Sequence, residues 1–222
     1  MELEQELVPT IIFSLGPLQV TSTVVNTWII MAIVSIVVIV LGKRLRVRPA
    51  RWQNALEWVV EAIDNLISDM IPDNPRIFLP IVGTLAIFIG AANLGGLIPG
   101  LRSPTADINT PLALAIVVFF SVHYYGIRQK GLVGHLRHYV EPIFILLPIE
   151  IASELARTLS LTFRLFGNIL GEEIVIAVLF LILPYFIPVP MMLFSIFTSL
   201  VQAYVFAMLT VVYLAGAVRA HA

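Results

Sequence analysis

The sequence predicts an all-α polytopic membrane protein with five membrane-crossing helices, one interfacial amphipathic helix, and two long, strongly tilted helices at its end. Only 12% of the 222 residues are charged and 59% are hydrophobic, whereas soluble domains contain roughly 25% charged residues. Apolar stretches long enough to cross a bilayer recur along the chain, and most lysines and arginines lie between them. Residues 1–222 are therefore expected to form a single integral membrane domain.

Composition and motifs exclude several classes of function. The net charge of −1 provides no basic field for nucleic acid. The absence of cysteine excludes disulfides and thiolate metal sites, and no phosphate-binding loop is present, so no cofactor or metal is expected. The acidic start, Met1–Glu6, lacks the positive region of a signal peptide. The N-terminus is therefore expected to stay on the mature protein.

The first two elements differ in kind. A first span is predicted at about 23–41, and a basic run beginning at Lys43 follows it. In residues 52–71, apolar side chains recur at steps of three and four, and acidic and amide side chains take the other face. This pattern predicts a helix that lies on the membrane surface and ends before Pro72 and Pro75.

Four further spans are predicted at about 77–98, 111–125, 140–183 and 190–218, with a basic loop over Arg128–His138. As one helix, the third of these spans would reach about 66 Å, roughly twice the hydrocarbon core. It is therefore either a hairpin of two spans or one strongly tilted helix. The lack of a polar turn favours one tilted helix.

The placement of basic residues predicts the orientation. With the N-terminus outside and the C-terminus in the cytoplasm, ten of the 13 lysines and arginines face the cytoplasm. Arg102 alone lies outside. Arg157 and Arg164 lie within the long hydrophobic segment.

One face of that segment, the polar stripe, carries polar and small residues at steps of three and four: Glu150, Ser153, Glu154, Arg157, Ser160, Arg164, Gly167, Asn168, Gly171 and Glu172. A charge at the bilayer centre costs at least about 2.5–3.5 kcal/mol, so the stripe must face protein, water or a partner of opposite charge. The last span carries a milder stripe at the same period: Ser195, Thr198, Ser199 and Gln202. Two facing stripes predict a lined pathway.

Several of these residues have a structural alternative. Arg157 and Arg164 could pair with neighbouring glutamates and hold the helices together, although function is the default for an ionisable group inside a membrane. His123 is interpreted as an interfacial residue. Asn93 and Asp107 could line a channel or form hydrogen bonds at a loop or helix end.

The run from Ser160 to Glu173, SLTFRLFGNILGEE, closely resembles the signature of subunit a of F-type ATP synthases. That signature has Ser-Leu, then Arg-Leu-Phe-Gly-Asn, then an acid about nine positions past the arginine. The Gln-Ala-aromatic run from Gln202 to Thr210 resembles the family's second signature. Residues 103–107, before the predicted span at 111–125, also match. The resemblance covers most of the chain from the first span onward.

This resemblance implies a stator subunit beside a rotating ring of c subunits. Ions enter through one aqueous half-channel, ride on a ring carboxylate, and leave through a second half-channel. The implied partners are the c ring, b-type peripheral stalk subunits, the F1 sector indirectly, and membrane lipid, with no nucleic acid. ATP chemistry would lie on partner subunits, so the chain is not expected to be an enzyme by itself. The implied location is a bacterial plasma membrane or an energy-coupling membrane of an organelle.

The resemblance assigns Arg164 as the essential stator charge facing the ring carboxylate. Arginine stays charged, so it cannot relay a proton, but it attracts a carboxylate and favours its ionised form. An ionised carboxylate cannot turn into lipid cheaply, so the fixed charge would force transport to proceed by rotation. The ion pathway implied by the resemblance comprises Glu173, Glu172, Asn168, Gln202, Ser195, Glu150 and Asp107.

Within this pathway, Glu173 matches an acid of the outer half-channel and Glu150 an acid of the inner one. The chain departs from the family at two positions. Many relatives carry histidine at the position of Ser195, and Glu172 is a second acid where relatives often have a small residue. The absence of histidine puts in doubt a titrating imidazole in the outer half-channel.

Three alternatives remain open at this point. The first is a sodium-translocating version of the same subunit. The coupling ion would be chosen largely by ligands on the c subunit, which this sequence does not contain. A secondary transporter would usually show internal repeats and helices broken near the midplane, and the sequence shows neither. In a structural membrane anchor, neutralising Arg164 would cost stability but not transport.

Overall fold

The structure, a computed structural model, describes residues 11–15, 18–44, 51–72, 74–98, 101–140, 147–182 and 188–219. Six α-helices account for most of these residues. The prediction that the acidic N-terminus stays on the mature protein concerns residues outside the described ranges.

A short β-hairpin opens the described part of the chain. Strands β1 (Ile11–Leu15) and β2 (Leu18–Thr21) pair antiparallel, with Leu15 opposite Leu18 and an irregularity between Ile11 and Phe13. The all-α prediction missed this hairpin, because strands of five and four residues give too short a pattern for their period to be recognised.

Helix α1 (Ser22–Gly42) coincides with the first predicted span within one residue at each end. It is apolar on every side, and Thr23 and Ile30 are its buried residues. A helix that is apolar all round and yet exposed is suited to face lipid.

Helix α2 (Arg51–Met70) confirms the predicted amphipathic helix. Ile63 and Ile67 enter the core, whereas Glu57 and Glu61 are exposed. The helix therefore covers one side of the bundle with its apolar face.

Helix α3 (Leu79–Gly95) has 17 residues and is shorter than the predicted span of 77–98, because a 3-10 turn (Pro75–Ile77) precedes it. At about 26 Å it is shorter than the usual hydrocarbon core. It packs closely against the last helix, and Val82 and Ile89 are fully buried.

Helix α4 (Asn109–Val140) extends beyond the predicted span of 111–125 and corrects the prediction of a basic loop over Arg128–His138. The helix continues through most of that loop and is interrupted at Gly131, where φ is 75°. Arginine, glutamine and lysine are good helix formers, so the basic residues mark a polar environment without ending the helix. Glycine adopts positive φ without a Cβ penalty, so the interruption falls there.

Helices α5 (Leu147–Ile182) and α6 (Pro188–Arg219) are each continuous, with 36 and 32 residues. The prediction of one long helix in place of a hairpin is confirmed over the described residues of α5. The predicted ends of these spans at 140–146 and 183 fall largely outside the described residues. Helix α5 is about 54 Å long.

By length and composition, four described helices can cross a membrane: α1, α4 from Asn109 to Gly131, α5 and α6. Helix α3 is apolar but shorter. The bundle core contains Phe78, Phe206, Leu165 and Leu214, each at most 1% exposed, while many large apolar side chains remain on the outer surface. The architecture is that of a helical membrane protein, in which lipid replaces water against this surface.

Candidate functional site

The polar stripe of α5 is largely uncovered by the chain itself. Six of its ten residues are exposed: Arg157, Ser160, Arg164, Gly167, Asn168 and Gly171. The core-facing side of the helix is formed by Leu161, Leu165 and Ile169. The face that lipid would tolerate least is therefore the face left open for a partner.

Arg164 is exposed on this open face. Among the described residues, its side chain makes no hydrogen bond or ion pair. A charged group in this position is costly against lipid. The described residues therefore provide no carboxylate that compensates this charge.

One turn further along α5, Asn168 Nδ2 donates a 2.7 Å hydrogen bond to Oε1 of Gln202 on α6. A cavity of about 490 Å³ opens beside this bond, and Gly171, Glu172 and Thr198 share its wall. Gln202 Nε2 is buried without a hydrogen-bond partner among the described residues. Residues of both helices line this cavity, so the stripes of α5 and α6 lie against each other at Asn168 and Gln202.

The structure does not place Ser195 in that cavity. Its side chain is 1% exposed, and its Oγ has no hydrogen-bond partner within the described ranges. An unpaired buried hydroxyl is costly, and the described residues offer no partner for this one.

Glu173 lies on the side of α5 that meets the loop between α3 and α4. Its Oε1 accepts a 3.1 Å hydrogen bond from the backbone N–H of Ser103, and its Oε2 lies 3.5 Å from Nε of Arg102. Both oxygens of the carboxylate therefore contact residues more than sixty positions away in sequence.

Asp107, in the same loop, makes contacts of a structural kind. Its Oδ2 accepts a 2.7 Å hydrogen bond from Thr23 of α1, and its Oδ1 accepts bonds from the N–H and Nδ2 of Asn109 at the start of α4. Asn93 is buried and accepts a 2.6 Å hydrogen bond from Thr105. These contacts favour the alternative of loop and helix-end hydrogen bonding, and a place for Asp107 on an ion pathway stays a prediction.

Glu150 lies apart from the cavity, in the first turn of α5. It is half-buried and 14 residues before Arg164, or about 21 Å along the helix. The structure therefore does not bring Glu150 together with Asn168, Gln202 and Glu172.

Sequence reasoning missed two clusters. The first cluster joins α5 to α4 and α6. In it, Nε2 of His123 lies 3.3 Å from Glu154, and the guanidinium of Arg157 lies 5.8 Å above the ring centroid of Tyr213. The second cluster is the contact of Arg102 with Glu173. Its one available signal was that Arg102 departs from the distribution of the other basic residues.

Comparison with known proteins identifies the family. The family profile "ATP synthase A chain" matches residues 24–215. ATP synthase subunit a 2 of Bradyrhizobium sp. strain BTAi1 is 45% identical over 212 residues, which cover 96% of this chain and 95% of that protein. ATP synthase subunit a 1 of Hahella chejuensis is 46% identical over 205 residues, covering 92% and 87%. ATP synthase subunit a of Moorella thermoacetica is 41% identical over 213 residues, covering 96% and 98%. The chain belongs to the ATP synthase A chain family.

Proposed function

We propose that this chain is the stator ion-channel subunit of a rotary F-type ATP synthase and couples ion flow to rotation of a c-subunit ring. The observation that carries the proposal is Arg164, an exposed cation on a membrane helix with no partner among the described residues. Family membership supports the same conclusion.

The role of Arg164 follows from its charge. The guanidinium attracts each arriving ring carboxylate and keeps it ionised, and an ionised group cannot cross the lipid-facing arc cheaply. A carboxylate that has taken up an ion is neutral and can cross this arc at low cost. Ions therefore pass from one side of Arg164 to the other only on the rotating ring, and each charge contributes about 2.3 kcal/mol per 100 mV.

Two separate half-channels fit the spacing of the acids on α5. Glu173 lies nine residues past Arg164, about 14 Å along the axis, and Glu150 lies about 21 Å in the other direction. The cavity beside Asn168, Gln202 and Glu172 extends on the Glu173 side of the arginine. We assign Glu173 to the outer half-channel and Glu150 to the inner one.

The proposed membrane arrangement has five crossings, including α3, with the N-terminus outside and the C-terminus in the cytoplasm. At about 54 Å, α5 is contained in a core of roughly 30 Å only when it is tilted. Tilting lays its exposed small residues, Gly167 and Gly171, along the curved ring. Small residues permit close approach of helices in membranes.

Protons are the proposed coupling ion, with sodium as the alternative. The c ring, b-type stalk subunits and, indirectly, the F1 sector are the proposed partners, and the bacterial relatives support a bacterial plasma membrane. An unrelated transporter is disfavoured because α5 and α6 are unbroken along their described lengths.

The deciding experiment compares Arg164→Ala and Arg164→Lys with wild type in vesicles that carry the whole synthase. Arg164→Ala is expected to abolish coupled ion pumping and ATP synthesis in an assembled complex, with passive ion leak. Arg164→Lys is expected to fail largely, because a lysine lacks the planar fork. Arg128→Ala, at an exposed arginine of α4, is the matched control and should pump normally.

Unchanged pumping in an assembled Arg164→Ala synthase would refute the stator role and favour a structural anchor. Repeating the wild-type assay with and without sodium at fixed pH identifies the coupling ion. Sodium-independent pumping that an uncoupler of proton gradients abolishes supports protons, and pumping that requires sodium supports the alternative.

A further inference from the structure

Both oxygens of Glu173 are occupied by one short segment, the loop of residues 101–107 between α3 and α4. Ser103 donates its backbone N–H to Oε1 at 3.1 Å, and Nε of Arg102 lies 3.5 Å from Oε2. The side chains of Arg102 and Glu173 are only 16% and 21% exposed. The pair is therefore partly removed from water. Charge interactions between partly buried groups are screened less than those between exposed groups.

The loop is held in place independently of Glu173. Asn26 of α1 donates a 3.2 Å hydrogen bond to the carbonyl of Arg102, and the hydroxyl of Ser103 donates to the carbonyl of Ala92 at the end of α3. Two other helices thus fix the backbone that presents Arg102. The backbone of Arg102 is therefore held close to Glu173. Ion pairs on an exposed surface, in contrast, join two flexible side chains.

Arg102 depends on the ionised form of its partner. Its Nε and Nη1 atoms are buried and make no hydrogen bond among the described residues, so the Glu173 carboxylate is the charge that compensates them. Protonation or cation binding at Glu173 would remove that compensation and leave a partly buried cation unpaired. Occupation of Glu173 by an ion and retention of the Arg102 contact therefore oppose each other.

Helix α6 supplies no basic side chain to this carboxylate in the described structure. Ser195 of α6 is 1% exposed and does not line the cavity beside Asn168 and Gln202. The cation opposite Glu173 comes from the loop, and as an arginine it does not titrate.

We propose that Arg102 is a positioning residue that competes with the transported ion for Glu173. In the empty state the loop holds the carboxylate through Arg102 and Ser103, and an entering ion must displace the guanidinium to load. This competition sets the ion concentration at which the outer half-channel fills. The inference rests on the proposed function, in that Glu173 is taken as the outer loading group.

The test measures ATP synthesis by vesicles carrying the whole synthase as a function of outer proton concentration, with the inner side held constant. Arg102→Gln is expected to lower the outer concentration for half-maximal rate at least about tenfold, since a cation within about 4–6 Å changes a carboxyl group's proton affinity by one to three orders of magnitude. Arg102→Lys should stay close to wild type, because a lysine Nζ can reach the position near Nε. Arg76→Gln, an exposed arginine before α3, controls for loss of charge alone.

A second variant covers the case in which Arg102→Gln fails to assemble. A Cβ on Gly96 would lie 2.5 Å from Cβ of Ser103 and 3.0 Å from its Cα. Gly96→Ala must therefore shift the loop while leaving the charge of Arg102 in the chain. The half-maximal concentration should move in the same direction as in Arg102→Gln.

An unchanged or raised half-maximal concentration in an assembled Arg102→Gln synthase overturns the inference. An unchanged value in Gly96→Ala overturns it when only that variant assembles. Failure of the proposed function gives a different result, because Arg164→Ala would then transport normally whatever the Arg102 variants do. If sodium proves to be the coupling ion, the same titration is made with outer sodium.

Discussion

The side-chain amide of Asn168 on α5 donates a 2.7 Å hydrogen bond to Oε1 of Gln202 on α6. The two residues differ in burial: Asn168 is exposed, whereas Gln202 is only 5% exposed. The bond thus links the two helices that carry the candidate ion pathway, one turn from Arg164. Because of the difference in burial, losing one partner of the bond should cost more stability than losing the other.

We expect Asn168→Leu to destabilise the subunit more than Gln202→Leu. Loss of Asn168 leaves the buried amide of Gln202 without its partner, at a cost of about 1–3 kcal/mol. Loss of Gln202 leaves Asn168 able to bond water and adds apolar burial. The thermal midpoints of both variants in detergent-solubilised membrane sector measure the difference. Equal losses, or an Asn168→Leu/Gln202→Leu double variant no better than Asn168→Leu, would contradict this account.

The open glycines of the stripe give a second prediction. A Cβ at Gly167 or Gly171 would meet no atom within 4 Å, so alanine at either position should stabilise the isolated subunit by about 0.5–1 kcal/mol. Gly171→Leu should leave the isolated subunit folded but prevent assembly with the ring, because a large side chain keeps a partner helix away. Copurification of c subunits measures assembly.

The matched control for that prediction is Ala152→Leu, at an exposed position on another side of α5. It places the same leucine side chain on a side of the helix away from the polar stripe, so assembly should be normal. Normal assembly and transport in Gly171→Leu would show that the stripe does not pack against the ring.

The contact of α1 with the rest of the bundle gives a third prediction. Thr23 is 1% exposed and donates a 2.7 Å hydrogen bond to Asp107. Thr23→Val keeps the shape and removes the donor to a charged acceptor, which should cost about 1.5–3 kcal/mol. Thr27 bonds only the carbonyl of Thr23 within its own helix, as far as the described residues show. Thr27→Val should therefore change the thermal midpoint little, and equal effects of the two variants would argue against the Asp107 contact.

The sequence was most informative where a period repeats over many residues. The stripe around Arg164 could be predicted because its spacing of three and four persists over six turns of α5, and the structure leaves that face open. The amphipathic character of α2 was predictable for the same reason. The hairpin β1–β2 and the helical continuation to Val140 were not, because four or five residues show no period and basic residues do not themselves end a helix.

Tertiary partners were the other limit. Ser103 and Glu173 are 70 positions apart, and no local pattern indicates which loop residue meets which helix face. Arg102 could be identified as unusual from its predicted place outside, but its partner emerges only when α5 packs against the loop. Whether Ser195 lines a pathway likewise depends on the rotation of α6, which buries it.

A fourth prediction concerns His123 and Glu154, which join α4 to α5. His123 Nδ1 lies 2.9 Å from the carbonyl oxygen of Phe119, and its Nε2 lies 3.3 Å from Oε2 of Glu154. A carbonyl only accepts hydrogen bonds, so Nδ1 carries a hydrogen. The contact at Nε2 is then favourable when a further proton lies on either the imidazole or the carboxyl group.

This arrangement predicts that Glu154→Gln is tolerated better than His123→Ala. A glutamine amide can donate to the neutral Nε2 and needs no shared proton. Alanine at 123 removes that contact and the ring packing against Phe119, whose centroid lies 4.4 Å away, at an expected cost of about 1–3 kcal/mol. Thermal midpoints of the purified membrane sector measure both changes. Tyr124→Ala, at a neighbouring side chain that is 58% exposed, should change stability by less than about 0.5 kcal/mol. A larger loss in Glu154→Gln than in His123→Ala would mean that the carboxylate charge itself, acting on other groups, holds α4 against α5.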